Sequence, residues 1–382
     1  MSGLFELTES QRQIRDAARA FAAERVAPGA RRRDRERVFP ADLYREMGPL
    51  GLLGVDVPEE LGGAGAGAVA YSIALTEIAA VCASTAVGMA VTNMVADLIV
   101  RNGSSEQQRR FVPKLMSGEA GAFSMSEPHS GSDAGALRTT AVRKGDRWVL
   151  NGAKQWVTSG AYAGVIALVA RTDGPGTHGV SCFLLERGTP GLVPGRPEDK
   201  MGLRASNTVP LVLDNCEIPA ENLLGKEGDG FKIALRGLDG GRIGIASQAI
   251  GVARAALDAS VRYAKDRQAF GAPIGDLQAI RWHLANVRTE LDAAALLTLR
   301  AASRKEKGLP FTKDAAMAKL FATEMVQRAC DKAVQIHGGY GYIDEFPVER
   351  YLRDARVQTI YEGTSEIQRF VIAREIIKSA GR

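Results

Sequence analysis

Cysteine and histidine are scarce in this chain, four of each among 382 residues. Cys82, Cys182, Cys216 and Cys330 form no C-x-x-C pair. That argues against a disulfide scaffold and fits thiols kept reduced in a cytosol. His129, His178, His283 and His337 lack metal-ligand spacing, so no metal centre is expected. A dominant charge is also missing. The net charge is +5, with Lys and Arg spread along the chain, which does not point to nucleic acid. The densest basic stretch, residues 31–37, is interrupted by Asp34 and Glu36 and reads as a solvated helix end. No uninterrupted apolar run is long enough to span a bilayer, and no leading apolar segment resembles a signal peptide. The expectation is a bacterial cytoplasmic protein without stable membrane association. Apolar residues make up 45% and charged residues 24%, enough for full cores in two or three domains.

What is present falls into three stretches. Residues 1–120 read as helical, with Ile14, Ala18 and Phe21 at helical spacing before Pro28 interrupts. Residues 69–100 are apolar and alanine-rich, as in closely packed buried helices. Residues 121–232 change character. Val165–Ala170, Val180–Leu185 and Val209–Leu213 read as short strands, and Asn151-Gly152 carries a hairpin signal. From 233 to 382 helical periodicity returns. Ile243, Ala246, Ile250, Ala253, Leu257, Val261 and Ala264 form one apolar stripe, and similar stripes run through 277–304 and 312–336. No helix–strand alternation suggests a doubly wound sheet. Gly62-Gly63-Ala64-Gly65-Ala66-Gly67 therefore reads as a loop between helices, since a dinucleotide fingerprint needs a preceding strand.

Four segments carry candidate chemistry. Tyr361-Glu362-Gly363-Thr364-Ser365 sets a carboxylate before a glycine at a helix entrance, with Ser365 and Gln368 spaced as a capping box. A general base aimed into a pocket uses such a turn, and so does an ordinary surface glutamate. Met125-Ser126-Glu127-Pro128-His129-Ser130-Gly131-Ser132-Asp133 offers hydroxyls and backbone N–H groups to a polar ligand. Trp156-Val157-Thr158-Ser159 places an aromatic before two hydroxyls, either for stacking on a planar ring or as plain core. Gln335-Ile336-His337-Gly338-Gly339 is a glycine-rich helix end that suits an anion or a C-cap.

In order and spacing these segments resemble the acyl-CoA dehydrogenase family over essentially the whole chain. Residues 127–133 follow one family signature, from which Ser124 departs at its first position. Gln335, Gly338-Gly339, Gly341, Glu345, Arg350 and Asp354 follow the other. The stretches 240–249 and 267–273 look most like the short-chain, butyryl-type branch. The resemblance implies an α+β multidomain fold: a helical N-terminal domain, a central β-barrel-like domain and a C-terminal four-helix bundle. It also implies FAD bound without a Rossmann motif. Phe123, Met125, Ser126, Ser132, Trp156, Val157 and Thr158 would meet the flavin. Arg267, Phe270, Gln278, Gln335, Gly338 and Gly339 would reach the pyrophosphate and adenosine end in a neighbouring subunit of a homotetramer. Thr364 and Glu366 would close the site. Ser132, Asp239, Arg242, Gln248 and Gly363 would meet the acyl-CoA substrate.

On this reading Glu362 is the base for the α-proton, and the β-hydrogen leaves as hydride to FAD. Some relatives carry the base near residue 241, but Gly241 cannot act. An electron-transfer flavoprotein is the expected acceptor. The competing expectations are an acyl-CoA oxidase, a dehydrogenase of a carrier-protein-bound acyl group, and a flavin- or CoA-binding protein without dehydrogenation. The short-chain resemblance implies a chain of about four to six carbons, and Ala86, standing where dicarboxylate-specific relatives keep an arginine, implies that it is uncharged. Gln248 should make the pocket floor polar and shallow. Gln358 departs from the small residue expected there; it would narrow the pocket or hydrogen-bond the acyl group.

Overall fold

Thr8 starts the first helix by a capping box: its hydroxyl accepts from Gln11 N at 3.3 Å while its own N–H donates to Gln11 Oε1 at 3.1 Å. The structure is a computed structural model that describes residues 6 to 380. Six helices form the first layer: α1 Glu9–Phe21, α2 Ala30–Glu36, α3 Ala41–Met47, α4 Gly67–Ala79, α5 Ala83–Asn102 and α6 Ser105–Met116. The helix α5 is long and apolar enough to cross a membrane, yet 89% of its most apolar window is buried inside the protein. Buried Asn93 fits there because its amide is fully used: Oδ1 accepts from Val55 N, and Nδ2 donates to the Leu52 and Met89 carbonyls. The segment 62–67 is a loop leading into α4, with no strand before it among the described residues.

The middle of the chain holds β1 Ala120–Ser124, β2 Thr140–Lys144, β3 Arg147–Thr158, β4 Ala163–Arg171, β5 Val180–Glu186, β6 Leu192–Pro194, β7 Thr208–Pro219 and β8 Leu223–Leu224. They form one mixed sheet in the order β6-β7-β3-β2-β4-β5-β8, with β1 parallel to β4 on its other side. The expected barrel-like closure is not found. Only Thr140 and Arg171 join β2 to β4, and β6 and β8 stand at the two ends of the strand order without pairing to each other. Trp148, Leu150, Ile166, Phe183 and Leu211 fill the fold. The opposite faces of β4 and β5 (Val165, Ala167, Val169, Cys182, Leu184) belong to the helical core, which explains why these strands read as continuous apolar runs.

Asn151-Gly152 does not make the expected hairpin. Strand β3 runs straight through it while its register against β7 shifts. The two-residue turn between β2 and β3 is Gly145-Asp146, with Gly145 at φ 61°. A second register shift in β3, between Lys154 and Val157, pushes Trp156 out of the ladder at φ 61°.

The last third contains α7 Gly230–Asp266, the short hairpin β9 Gln268–Ala269 and β10 Ala272–Pro273, α8 Gln278–Glu306, α9 Thr312–His337, α10 Val348–Arg356 and α11 Ser365–Ala380. Helices α7, α8 and α9 pack on one another, α11 lies along α9, and α4 crosses α7 and α8. The predicted stripe on α7 is buried from Ile243 to Leu257, because Ala and Gly let the helices approach closely. Glu77 ties three helices together, accepting from Arg19 and from Arg254 at 2.8 Å. Leu203 N donates to Asp354 Oδ1 at 2.6 Å, fastening the loop between β6 and β7 to α10. Burial pushes the Asp354 carboxyl up to about 6.

Candidate active site

Helix α10 ends in a single turn, Val357–Thr359, and the chain then swings into α11. In that swing Glu362 has φ 54° and Gly363 φ 88°. Gly363 takes this conformation freely; Glu362 does so at a cost of about 1 kcal/mol or more. Two side chains pin the turn. Gln368 Nε2 donates to the Glu362 carbonyl at 3.2 Å and to the Gly363 carbonyl at 2.8 Å. Lys319 Nζ donates to the same Gly363 carbonyl at 2.8 Å. The expected Ser365–Gln368 capping box does not form. Helix α11 begins at Ser365, and Thr364 caps it by accepting from Ile367 N at 3.3 Å. Gln368 is spent on the turn instead.

The Glu362 carboxyl points into the space left by Gly241. A Cβ built there would lie 2.6 Å from Glu362 Oε2 and 3.3 Å from Met94 Sδ. Oε2 is buried without a hydrogen-bond partner. Burial pushes this carboxyl up to about 7, against the opposing pull of the Arg242 and Lys319 charges. Arg242 is buried and pairs with Asp239, whose other oxygen accepts from Thr312 Oγ1 at 2.6 Å. Tyr361 donates its hydroxyl to Gln248 Oε1, and Gln248 Nε2 donates to the Ala83 carbonyl at 2.8 Å. Both ends of the Gln248 amide are therefore engaged, and it braces the turn against α5 rather than offering a free polar floor. Ala86 is fully buried in α5, and Gln358 is fully buried with neither amide atom partnered.

The second cluster lies on the sheet. Glu127 is buried, and its carboxylate accepts from Lys154 Nζ at 2.8 Å, Arg138 N at 2.7 Å and Thr139 N at 2.9 Å. Lys154 also donates to the Met125 carbonyl at 3.1 Å. Gln155 N donates to Ser126 O at 2.9 Å, which draws Met125-Ser126 beside Trp156. Trp156 is 61% exposed, an uncommon state for a tryptophan in a well-ordered strand. Phe123 and Thr158 are half-buried, while Met125 and Val157 are buried. Ser132 stands exposed on the loop, and no hydrogen bond links it to Arg242 or Glu362.

The third cluster is a cleft of about 450 Å³ between α7, α9 and the short turn after α9. Arg267, His337, Gly338 and Gly339 line it. A Cβ on Gly338 or Gly339 would meet no atom within 4 Å, so bare backbone faces the opening. Phe270, on the β9–β10 hairpin, is 94% exposed, and Gln278 and Gln335 are exposed nearby.

These surfaces fit a flavin dinucleotide. A planar ring has the exposed face of Trp156 and the unpartnered hydroxyls of Ser124 and Ser159, and a pyrophosphate has Arg267 beside open glycine backbone. The structure unites Glu362, Gly363, Asp239, Arg242 and Gln248 around one turn, and Met125, Ser126 and Trp156 around another. Thr364 is part-buried in its cap and Glu366 is exposed on the first turn of α11. Two buried lysines, Lys154 and Lys319, were not singled out from sequence. The signal was available: Lys319 falls on the apolar stripe of 312–336, between Ala315, Ala316, Ala318 and Ala322.

Residues 8–119 match the description "Acyl-CoA dehydrogenase, N-terminal domain", residues 122–216 the middle domain and residues 228–377 the C-terminal domain. The chain is 50% identical over 377 residues to the short-chain specific acyl-CoA dehydrogenase, mitochondrial, of Mus musculus, covering 98% of this chain and 92% of that protein. It superposes on butyryl-CoA dehydrogenase from Megasphaera elsdenii with a TM-score of 0.96 at 40% identity, covering 98% and 99% of the two chains. A chain from the structure described as the electron transferring flavoprotein of Acidaminococcus fermentans matches with a TM-score of 0.96 at 43% identity, covering 97% of this chain and 99% of that one.

Proposed function

The chain belongs to the acyl-CoA dehydrogenase family, and on that premise we propose that it converts a short-chain acyl-CoA to the trans-2-enoyl-CoA with Glu362 as the base. The observation that carries this reading is the Glu362 carboxyl: buried, unpartnered at Oε2, and facing a space that Gly241 keeps open. Abstracting an α-proton from a thioester needs a positioned base and a donor to the carbonyl oxygen. Glu362 supplies the base, and its backbone N–H supplies a donor. A carboxyl raised to about 7 matches a weakly acidic carbon better than an ordinary glutamate does. FAD, when bound, supplies the two-electron acceptor for the β-hydrogen. Met125, Ser126, Trp156, Val157 and Thr158 would hold its ring, and Arg267 with Gly338-Gly339 would hold the phosphate end. Arg242 and Asp239 orient the CoA side of the thioester.

Three finer readings follow. An uncharged acyl chain is supported by Ala86, which offers no cation to a distal carboxylate, and buried Gln358 is the side chain that would set chain length. A homotetramer is supported by Phe270, Trp282, Phe370 and Ile377, all more than half exposed, because such a surface calls for burial against other copies. Transfer to an electron-transfer flavoprotein is supported by the exposed Trp156 at the flavin edge, a small surface suited to transient exchange. The decisive experiment mixes the yellow holoenzyme anaerobically with butyryl-, octanoyl- and glutaryl-CoA. Fastest bleaching by butyryl-CoA is expected. Preference for glutaryl-CoA would refute neutrality of the pocket, and no bleaching by any thioester would refute dehydrogenation.

A further inference from the structure

Lys319 has no exposed surface. It sits on α9 among Ala315, Ala316, Ala318 and Ala322, where a methionine would fill the same volume without bringing a charge into the interior. Its ammonium reaches only one acceptor, the Gly363 carbonyl at 2.8 Å. That carbonyl follows the base directly and already accepts from Gln368 at 2.8 Å, so Lys319 is not there to satisfy an orphan. A lysine buried at such expense beside a carboxyl whose Oε2 is buried and unpartnered has a task that neutral packing does not perform.

We propose that Lys319 is a positioning residue for Glu362: it clamps the left-handed Glu362–Gly363 turn through the Gly363 carbonyl, and its buried charge keeps the base ionised. The proposal rests on Glu362 being the base. The charged and titratable groups facing this pair are few. Arg242, from α7, pulls the Glu362 carboxyl down more than Lys319 does, but it is already engaged by Asp239 in an ion pair. Tyr71 comes from α4, and Tyr361 lies next to the base. From α11 comes Glu366, and on α9 itself lies Glu324, already paired with Arg369 at 2.6 Å. Among the described residues Lys319 is therefore the nearby cation not committed to a carboxylate of its own. Burial draws the two groups toward each other, Lys319 down to about 7 and Glu362 up to about 7, so they titrate as a coupled pair. Removing the cation leaves burial of the carboxyl unopposed from this side.

The test compares wild type with Lys319→Met and Lys319→Gln holoenzyme. The methionine removes charge and donor; the glutamine keeps a shorter donor and demands less of the fold. Two readouts are followed against pH: the rate of anaerobic flavin bleaching by butyryl-CoA, and the infrared carboxyl band of Glu362, isolated by subtracting Glu362→Gln spectra. Both variants should move the acidic limb and the carboxyl band up by about one pH unit, a roughly tenfold slower reaction below the limb that is recovered above it. A lower rate at every pH with limb and band unmoved, in whichever variant folds, would reduce Lys319 to packing and overturn the proposal. If wild type is not bleached by any thioester the base assignment fails, while the infrared band still decides whether Lys319 governs the carboxyl.

Discussion

The molecule contains two buried lysine–glutamate neighbourhoods, and they are built to opposite ends. In the sheet, Glu127 meets Lys154 directly at 2.8 Å, and two backbone N–H groups saturate the rest of the carboxylate. In the helical region, Lys319 is turned onto a carbonyl and Glu362 keeps Oε2 free. The protonation of the two glutamates follows. The Lys154 contact and the N–H groups hold Glu127 below the usual carboxylate range despite burial, while burial wins at Glu362 and raises it to about 7. A satisfied buried pair fixes a loop. A carboxyl left partly unsatisfied stores the demand for a proton that a base needs.

The contrast can be broken from either side. Glu362→Gln should lower the rate of thioester-driven flavin bleaching by about a hundred- to ten-thousandfold while FAD content stays near wild type. Wild-type bleaching by that variant would erase the distinction. Lys154→Met should do the reverse. It strands Glu127 in the interior and should cost about 3–5 kcal/mol of stability in denaturant titration, with bleaching retained per FAD-loaded molecule. Gly241→Ala places a methyl 2.6 Å from Glu362 Oε2. Displacing the base should slow bleaching by about ten- to a hundredfold at little expense in melting temperature, and an unchanged rate would mean the carboxyl works from another position. The smallest effect is one of sign. Glu127, with its folded-state value lowered, contributes stability above the ordinary glutamate value of 4.5 that is lost as pH falls through its folded value. Glu362, raised to about 7, contributes stability fully present below 4.5 and lost as pH climbs through 7. Between pH 4.5 and 7 the melting temperature of Glu362→Gln should therefore gain on wild type as pH rises; a constant difference would show that Glu362 is not raised.

Sequence pattern carried the layered fold because its signals are local. The α7 stripe, the strands at 165–170 and 180–185, and the turn at Glu362 are all written in adjacent residues. What it missed depends on partners far along the chain. Asn151-Gly152 has the composition of a hairpin, but pairing with β7 carries β3 through it. Ser365 had the spacing of a cap, yet Thr364 took that role because Gln368 was drawn to the Glu362 and Gly363 carbonyls. The partners of the Gln248 amide, Tyr361 and Ala83, lie far along the chain and become visible only in the fold. Lys319 lies 43 residues before Glu362, and a lone lysine on an alanine stripe is easily passed over as solvated.

One helix bears on how the chain comes to exist at all. Helix α5 has the length and hydropathy of a membrane span, and besides α4, α6 and β1 it needs α7 to complete its cover. Yet α7 begins at Gly230, roughly 130 residues after α5 ends at Asn102. At a synthesis rate of about 5–20 residues per second, that segment waits roughly 6–30 seconds for its cover. During that interval the nascent chain displays what an insertion machinery seeks. Asn93 and Asp97, within the same twenty residues, are polar groups whose burial in a bilayer would cost free energy, which disfavours insertion of this helix.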